Sequence, residues 1–359
     1  MNTDLLRRLC ETPGIPGREE RVRDLIRREV RGLFDAIEED GMGSLICRRF
    51  PRGPGGKVIK PTASSDHTRL MLACHMDEIG FYVSHIDDRG FIRLNAAGGF
   101  DTRNLFSRRV LVCTKNDGDI VGVMNPGGRP VHIASEEDKR KVPEVKEFFV
   151  DIGLPGPKVK KTVTIGDMVV MHEPFVIVGN KAVSKAMDNR VACWLGVESV
   201  RAVHDSKKPH AAEICVAFTT QEEVGLRGAK TAASLIKPHI GIGLDVTLSC
   251  DTPGVPGEEA VTIQGNGVGL HVMDSSIISD YRLIDDLEGV AKKHRIKAQR
   301  TILPRGGQDG AAIQQSLAGA RAAGLTVGTR YIHTVTEMVD LGDLKAAQDL
   351  LAAWMPTVK

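Results

Sequence analysis

Four apolar runs in this 359-residue chain lead into residues able to bind metal ions or move protons. "RLMLAC" is followed by His75 and Asp77, "CVAFTT" by Glu222 and Glu223, "IGIGL" by Asp245, and "LTVGTRYI" by His333. Asp188 lies in "KAMDNR", just ahead of the helical pattern "RVACWLGV". Together they offer two imidazoles and five carboxylates, with no lysine among them. Each alone has an ordinary reading: a structural histidine, a solvated glutamate, an aspartate capping a helix. Gathered at one place, the carboxylates would repel one another and raise each other's pKa unless cations sat among them.

Imidazole nitrogen and carboxylate oxygen suit zinc first, with cobalt or manganese next. One bridging carboxylate, two imidazoles and two further acids would hold two divalent ions, roughly 3.5–4 Å apart in two-metal hydrolases. Asp77, two residues past His75, is placed to orient that imidazole. A structural zinc site would favour cysteine and a closed set of ligands. Here one carboxylate is left over, and a leftover carboxylate beside a metal-bound water is what a general base looks like.

Positioning these residues is the task of strand ends, because ligands of open α/β sheets bind beyond the carboxyl ends of the strands. The first helix is expected over "TDLLRRLCETPG", with Thr3 as its cap and Pro13-Gly14 as its stop. A second covers "GREERVRDLIRREVRGLF", whose Val22, Leu25, Ile26, Val30 and Leu33 recur at helical spacing. Residues 51–68 read as a surface loop. Residues 80–171 change character: "FYVSHI", "FIRLNAA", "RRVLVCT", "IVGVM" and "MVVM" are short strands separated by turns such as "DDRG", "NDGD" and "NPGG". One short helical piece is expected there, around "SEEDKRKVPEVKEFF". Beyond it, helices and strands alternate to the end of the chain. The expected fold is therefore α/β, a mainly parallel sheet sandwiched by helices, formed by residues 1–79 and 172–359 and interrupted by a small β unit at 80–171.

Composition narrows the function. A net charge of +2 gives no concentrated basic surface, so no nucleic-acid partner is expected. No segment reads as a signal peptide or membrane span, and seven scattered cysteines without a CxxC pair fit reduced thiols, so a cytoplasmic site with no membrane partner is expected. Cys74 and Cys215 sit in strand-like runs, where a buried inert thiol is favoured over a nucleophile. The glycines of "IQGNGVGL" are read as a loop lining the active site rather than a phosphate cradle, since no Walker lysine follows.

"HMDEIGF", "KAMDNR", "FTTQEEVGLRGA", "LDVT…DTPG" and "RYIHTVTEMVD" resemble, in order and spacing, the M42 family of di-metal aminopeptidases, the tetrahedral or glutamyl aminopeptidases. The resemblance spans nearly the whole chain. It implies a zinc-peptidase-like catalytic domain, in which Asp188 bridges two ions, His75 and Asp245 complete one ligand set, and Glu223 and His333 the other. It also implies Glu222 as general base, Asp77 as the support of His75, and a cis peptide bond between Asp188 and Asn189. The β insertion becomes a barrel-like dimerisation domain, with dimers building a hollow dodecamer that acts on short peptides. This chain departs from the family pattern at Gln308 and Gly310, where Thr and Ala are common, and at Gly328 and Thr334-Val335, where Pro and Ser-Pro are usual. Those departures bear on substrate preference, so hydrolysis of N-acyl amino acids or other small amides is the main alternative. A glycosidase using Glu222 and Glu223 is disfavoured, because neighbours leaving a strand diverge and an aromatic content of 4% offers few sugar platforms. A non-enzymatic assembly protein would be expected to lack part of the ligand set, and all of it is present.

Overall fold

The computed structural model describes residues 1–60, 67–115 and 117–359. The loop expected at 51–68 thus falls partly outside the described residues, as does Asn116 of the "NDGD" turn.

Four strands carry the site, and the three pairings among them are parallel. Arg69–His75, Glu213–Thr219, Ile240–Leu248 and Arg321–Arg330 are buried almost end to end. Such continuous apolar runs suit a parallel sheet covered on both faces. Alternate side chains feed two cores. Leu70, Leu72 and Cys74, with Ile214, Val216 and Phe218, pack against Val191, Trp194 and Leu195 of helix Met187–Ser206. Met71, Ala73, Cys215 and Ala217 face the other way, toward Ala232, Ala233 and Ile236 of helix Arg227–Ile236. The small residues on this second face let the helix lie close to the strands.

Register brings the strand ends level. Thr219 pairs with His75, and Gly243 with Ala73, so Asp245 falls beside His75 two residues on. Among the described residues the sheet has eleven strands and is mixed, which corrects the expectation of a mainly parallel one. Among the described residues, parallel strand ladders are confined to the central four strands and to the side pair Val268–Met273 with Ala298–Ile302. The outer strands add by antiparallel pairing, and two of the pairs are tight hairpins, Ala36–Glu39 with Leu45–Arg49 and Val176–Val178 with Lys181–Ser184. A short turn permits only antiparallel pairing. The "FVIVGNKAVS" hairpin was not read as strand from its sequence.

Between Gly80 and Met171 six strands close into an antiparallel barrel in the order Gly80–Ile86, Ile92–Ala97, Phe148–Asp151, Asp119–Pro126, Arg108–Cys113, Met168–Met171. Its interior is a separate cluster including Phe81, Val110, Val112, Phe148 and Val150. The helical piece is shorter than expected: Glu136–Arg140 is helix, but Phe148 and Phe149 belong to a barrel strand. Thr3 is the first helical residue and not the cap; Asn2, one position earlier, accepts the Leu5 N–H with its side chain. Among the described residues no helix is long and apolar enough to cross a membrane.

Candidate metal centre

His75 ends its strand with a side chain only 1% exposed. Its Nδ1 lies 3.0 Å from the main-chain oxygen of Asp77, which can only accept, so that nitrogen carries a proton and Nε2 is the one turned to the carboxylates. Nε2 lies 3.2 Å from Asp188 Oδ1, 3.7 Å from Glu222 Oε2 and 3.9 Å from Asp245 Oδ1. The second oxygen of Asp188 turns elsewhere: Oδ2 is 3.3 Å from Nε2 of His333, which is also 3.5 Å from Glu223 Oε2. One aspartate thus stands between two imidazoles, an oxygen toward each. The ligand atoms of His75, Asp188 and Glu223 lie within 4.8 Å of one another, as do those of His75, Glu222 and Asp245. All seven residues singled out in the sequence come together, Asp77 behind the other six.

The backbone around them is held by carboxylates. Asp77 accepts the Glu222 N–H at Oδ1 and the Glu223 N–H at Oδ2, both at 3.1 Å, and its Oδ1 is 3.5 Å from His75 Nδ1. Glu19 accepts the N–H of Gln221, at 3.0 Å, so three successive amides of the loop end on carboxylates. Asp188 opens helix Met187–Ser206, after a left-handed Ala186, and its peptide bond to Asn189 is cis. His333 also has a positive φ, 64°.

Electrostatically the site is short of cations. Among the described residues, the ion-pair partners of Asp188, Glu222, Glu223 and Asp245 are the two imidazoles alone. Burial, then the neighbouring negative charges, raises Glu222 and Asp245 well above the carboxylate range and raises Glu223 as well. Asp188 goes the other way: burial opposes its charge, but hydrogen bonds from His333 and His75 outweigh it and hold its carboxyl below the usual range. Burial likewise opposes a charged His333, and the hydrogen bonds to Asp188 and Glu223 override it, pushing its pKa up to about 12. Oε1 of Glu223 is buried without a hydrogen-bond partner. An orphaned carboxylate oxygen among acids of raised pKa fits divalent cations, whose charge removes both problems.

Two acidic residues were missed in the sequence. Glu337 accepts the N–H groups of both Asp188 and His333, and burial pushes its pKa up to about 8. Asp309, beneath the centre, accepts from the Thr219 hydroxyl, and burial raises it to about 6. Neither follows an apolar strand run, as six of the other seven do.

A cleft of about 980 Å³ opens over the site, between Gly99–Asp101 of the barrel edge and the sheet-end segments Glu222–Glu223, Asp245–Leu248 and Leu303–Gly307. Several expectations shift here. The "IQGNGVGL" loop does not line this cleft; the N–H groups of Gly265 and Gly267 are taken by Asp343, at 2.7 Å each. Gln308 lies buried below the cleft, packed over glycines: an added Cβ would come within 2.0 Å of its amide at Gly243 or Gly324, and 2.9 Å at Gly310. Gly310 thus leaves room for the Gln308 side chain. Cys74 and Cys215 are fully buried and burial raises both thiols, so neither is poised as a nucleophile.

A helix-covered sheet whose carboxyl edge gathers histidines and unpaired acids defines a metal-dependent hydrolase. Comparison with known proteins narrows the class. Residues 55–350 match the M42 glutamyl aminopeptidase family. A TET aminopeptidase from a marine-sediment Thaumarchaeota archaeon superposes with a TM-score of 0.91 at 30% identity, covering 100% of this chain and 96% of that one. An aminopeptidase of Desulfurococcus kamchatkensis gives 0.90 at 31% identity, covering 99% and 94%. The TET1 peptidase of Pyrococcus horikoshii, which can assemble into a tetrahedron or a large octahedral shell, gives 0.84 at 26%, covering 99% of each chain. The chain belongs to the M42 family and is a metallo-hydrolase of the peptidase class.

Proposed function

We propose that this protein is an aminopeptidase that removes the N-terminal residue of short peptides with the help of two divalent ions. The observation that carries the reading is Asp188, whose two oxygens face two different imidazoles at 3.2 and 3.3 Å. In this reading Asp188 is shared, His75 and Asp245 complete one ligand set, and Glu223 and His333 the other. The all-nitrogen-and-oxygen donor set favours zinc, with cobalt and manganese as substitutes. Bound there, such ions acidify water and polarise a carbonyl oxygen.

The chain's own residues do the rest. Glu222 is the more exposed of the adjacent glutamates, 11% against 6%, and borders the cleft through which substrate enters. It takes a proton from the attacking water and returns it to the leaving amine, while Asp77 holds the Glu222–Glu223 backbone still. A free α-amine would bind at the metal end of the cleft, where an acylated nitrogen is a poor donor, which makes the enzyme an exopeptidase and disfavours N-acyl substrates. Residues 80–171 form the dimerisation domain and residues 1–79 with 172–359 the catalytic one, and dimers assemble into a dodecamer; the shell built by the P. horikoshii relative supports that step. Seven unpaired cysteines fit a cytoplasmic enzyme.

One peptide, offered with a free or an acetylated N-terminus to metal-stripped enzyme resupplied with each ion, tests this. Cleavage of the free form alone is expected. Equal cleavage of the acetylated form contradicts the aminopeptidase reading.

A further inference from the structure

Glu337 has no part in the reaction outlined above, yet it touches the backbone of two of its residues. Its side chain is 2% exposed, on the short strand Glu337–Asp340. The two oxygens are divided: Oε1 accepts the N–H of His333 at 2.7 Å, and Oε2 that of Asp188 at 3.0 Å. Neither amide belongs to a regular ladder. His333 has a φ of 64°, and Asp188 has non-helical angles, φ −78° and ψ 103°, at its helix start. A buried amide outside regular structure is placed by whatever accepts its hydrogen. Here one carboxyl group serves both, with an oxygen for each. The side chains of those same two residues meet, His333 Nε2 3.3 Å from Asp188 Oδ2.

From this geometry we infer that Glu337 is a positioning residue. It sets the separation of Asp188 and His333, and so controls the ion site they share with Glu223. Asp77 plays the same part on the opposite side, accepting the Glu222 and Glu223 amides with its two oxygens. The two clamps divide the centre between them. The inference rests on the ligand sets proposed above.

The clamp needs two acceptor oxygens at the reach of a glutamate. Glu337→Gln offers one oxygen and turns an N–H donor toward the other amide. Glu337→Asp keeps both oxygens but is one methylene too short to reach both amides. Metal-stripped wild type and both variants are titrated with Zn²⁺ by calorimetry, and aminoacyl-amide hydrolysis is followed at each metal level. Wild type should take up two ions. Both variants should weaken the ion held by Glu223 and His333 roughly 10–100-fold, the usual effect of losing a partner behind a ligand, and the other ion, reached only through the shared Asp188, by clearly less. Their kcat should recover at high Zn²⁺.

A Glu337→Asp variant that binds both ions like wild type overturns the inference, because a carboxyl group without that reach would then suffice. Equal weakening of both ions overturns it too, since that is what a general structural role produces. If neither variant folds, hydrogen exchange on the stripped wild-type chain decides: slow exchange at the Asp188 and His333 amides is expected, and fast exchange overturns it. Fewer than two ions on wild type would instead sink the two-ion reading underneath.

Discussion

Buried acids of two kinds lie close to His75, and the chain treats them in opposite ways. Glu78, next to Asp77, is 3% exposed and answered by the protein's own cations: Lys185 Nζ lies 2.7 and 2.8 Å from its oxygens and Arg190 3.3 Å away. Arg190, fully buried, donates in turn to the main-chain oxygens of Leu9, Thr12, Gly14 and Met76, so this knot ties the N-terminal segment to the start of the barrel. Glu222, Glu223 and Asp245 are nearly as buried, at 11%, 6% and 8%, and no lysine or arginine among the described residues pairs with them. A buried acid with its own counter-ion is architecture. A set of them without one is a place for ions from outside, because a lone buried charge is too costly to keep.

The contrast can be broken most severely by removing metal. Chelation followed by gel filtration should abolish peptide hydrolysis, and Zn²⁺, Co²⁺ or Mn²⁺ should restore it; full activity in the stripped protein would end the argument. Next in size is Glu222→Gln, which should keep both ions by elemental analysis and lose about 10²–10⁴-fold in kcat, the usual worth of a general base. Near-wild-type turnover with metal bound would reassign the base. The same variant should raise the melting midpoint of the stripped protein by on the order of 2 °C, since it removes one of the repelling charges.

Lys185→Met probes the paired acid. It should cost about 3–5 kcal/mol in urea unfolding, the penalty for stranding a buried charge. A cost under about 1 kcal/mol would mean that Arg190 alone suffices. The smallest effect belongs to a third acid at the same sheet edge, Asp251, which is 14% exposed and held at 2.7 Å by Nε and Nη2 of Arg330. The Arg330 hydrogen bonds depress its pKa to about 2 from a usual 3.8. Because the folded value is the lower one, its stabilisation is complete above the unfolded pKa and fades as pH falls toward 2. Asp251→Asn should therefore lose under about 1 kcal/mol at pH 7, after allowance for solvent screening, and match wild type as pH nears 2. A gap that persists at low pH would point to packing instead of charge.

How much of this was legible in the sequence depended on how local each signal was. His75, Asp77, Glu222, Glu223, Asp245 and His333 follow buried strands whose apolar runs are visible as text, and parallel register then brings the ends level. The six-stranded barrel was foreshadowed by short alternating segments split by turns. Glu337 left no such trace, since its importance lies in two amides, one of them 149 residues away. Asp309 and Glu19 act through contacts 90 and 202 residues distant and were invisible for the same reason. The sheet's mixed pairing was misjudged because the outer hairpins are only three to five residues per strand, too short for periodicity to separate them from loops. The "IQGNGVGL" glycines misled through their resemblance to a ligand loop, when their amides serve Asp343.

The central claim is that the unpaired acids at the sheet edge hold two ions and that hydrolysis depends on them. Titrating stripped enzyme with Zn²⁺ while recording both bound equivalents and aminoacyl-amide hydrolysis tests it most directly. Two equivalents per chain are predicted, with activity rising only as the second is filled. Saturation at zero equivalents, or hydrolysis already complete in the stripped enzyme, would contradict it.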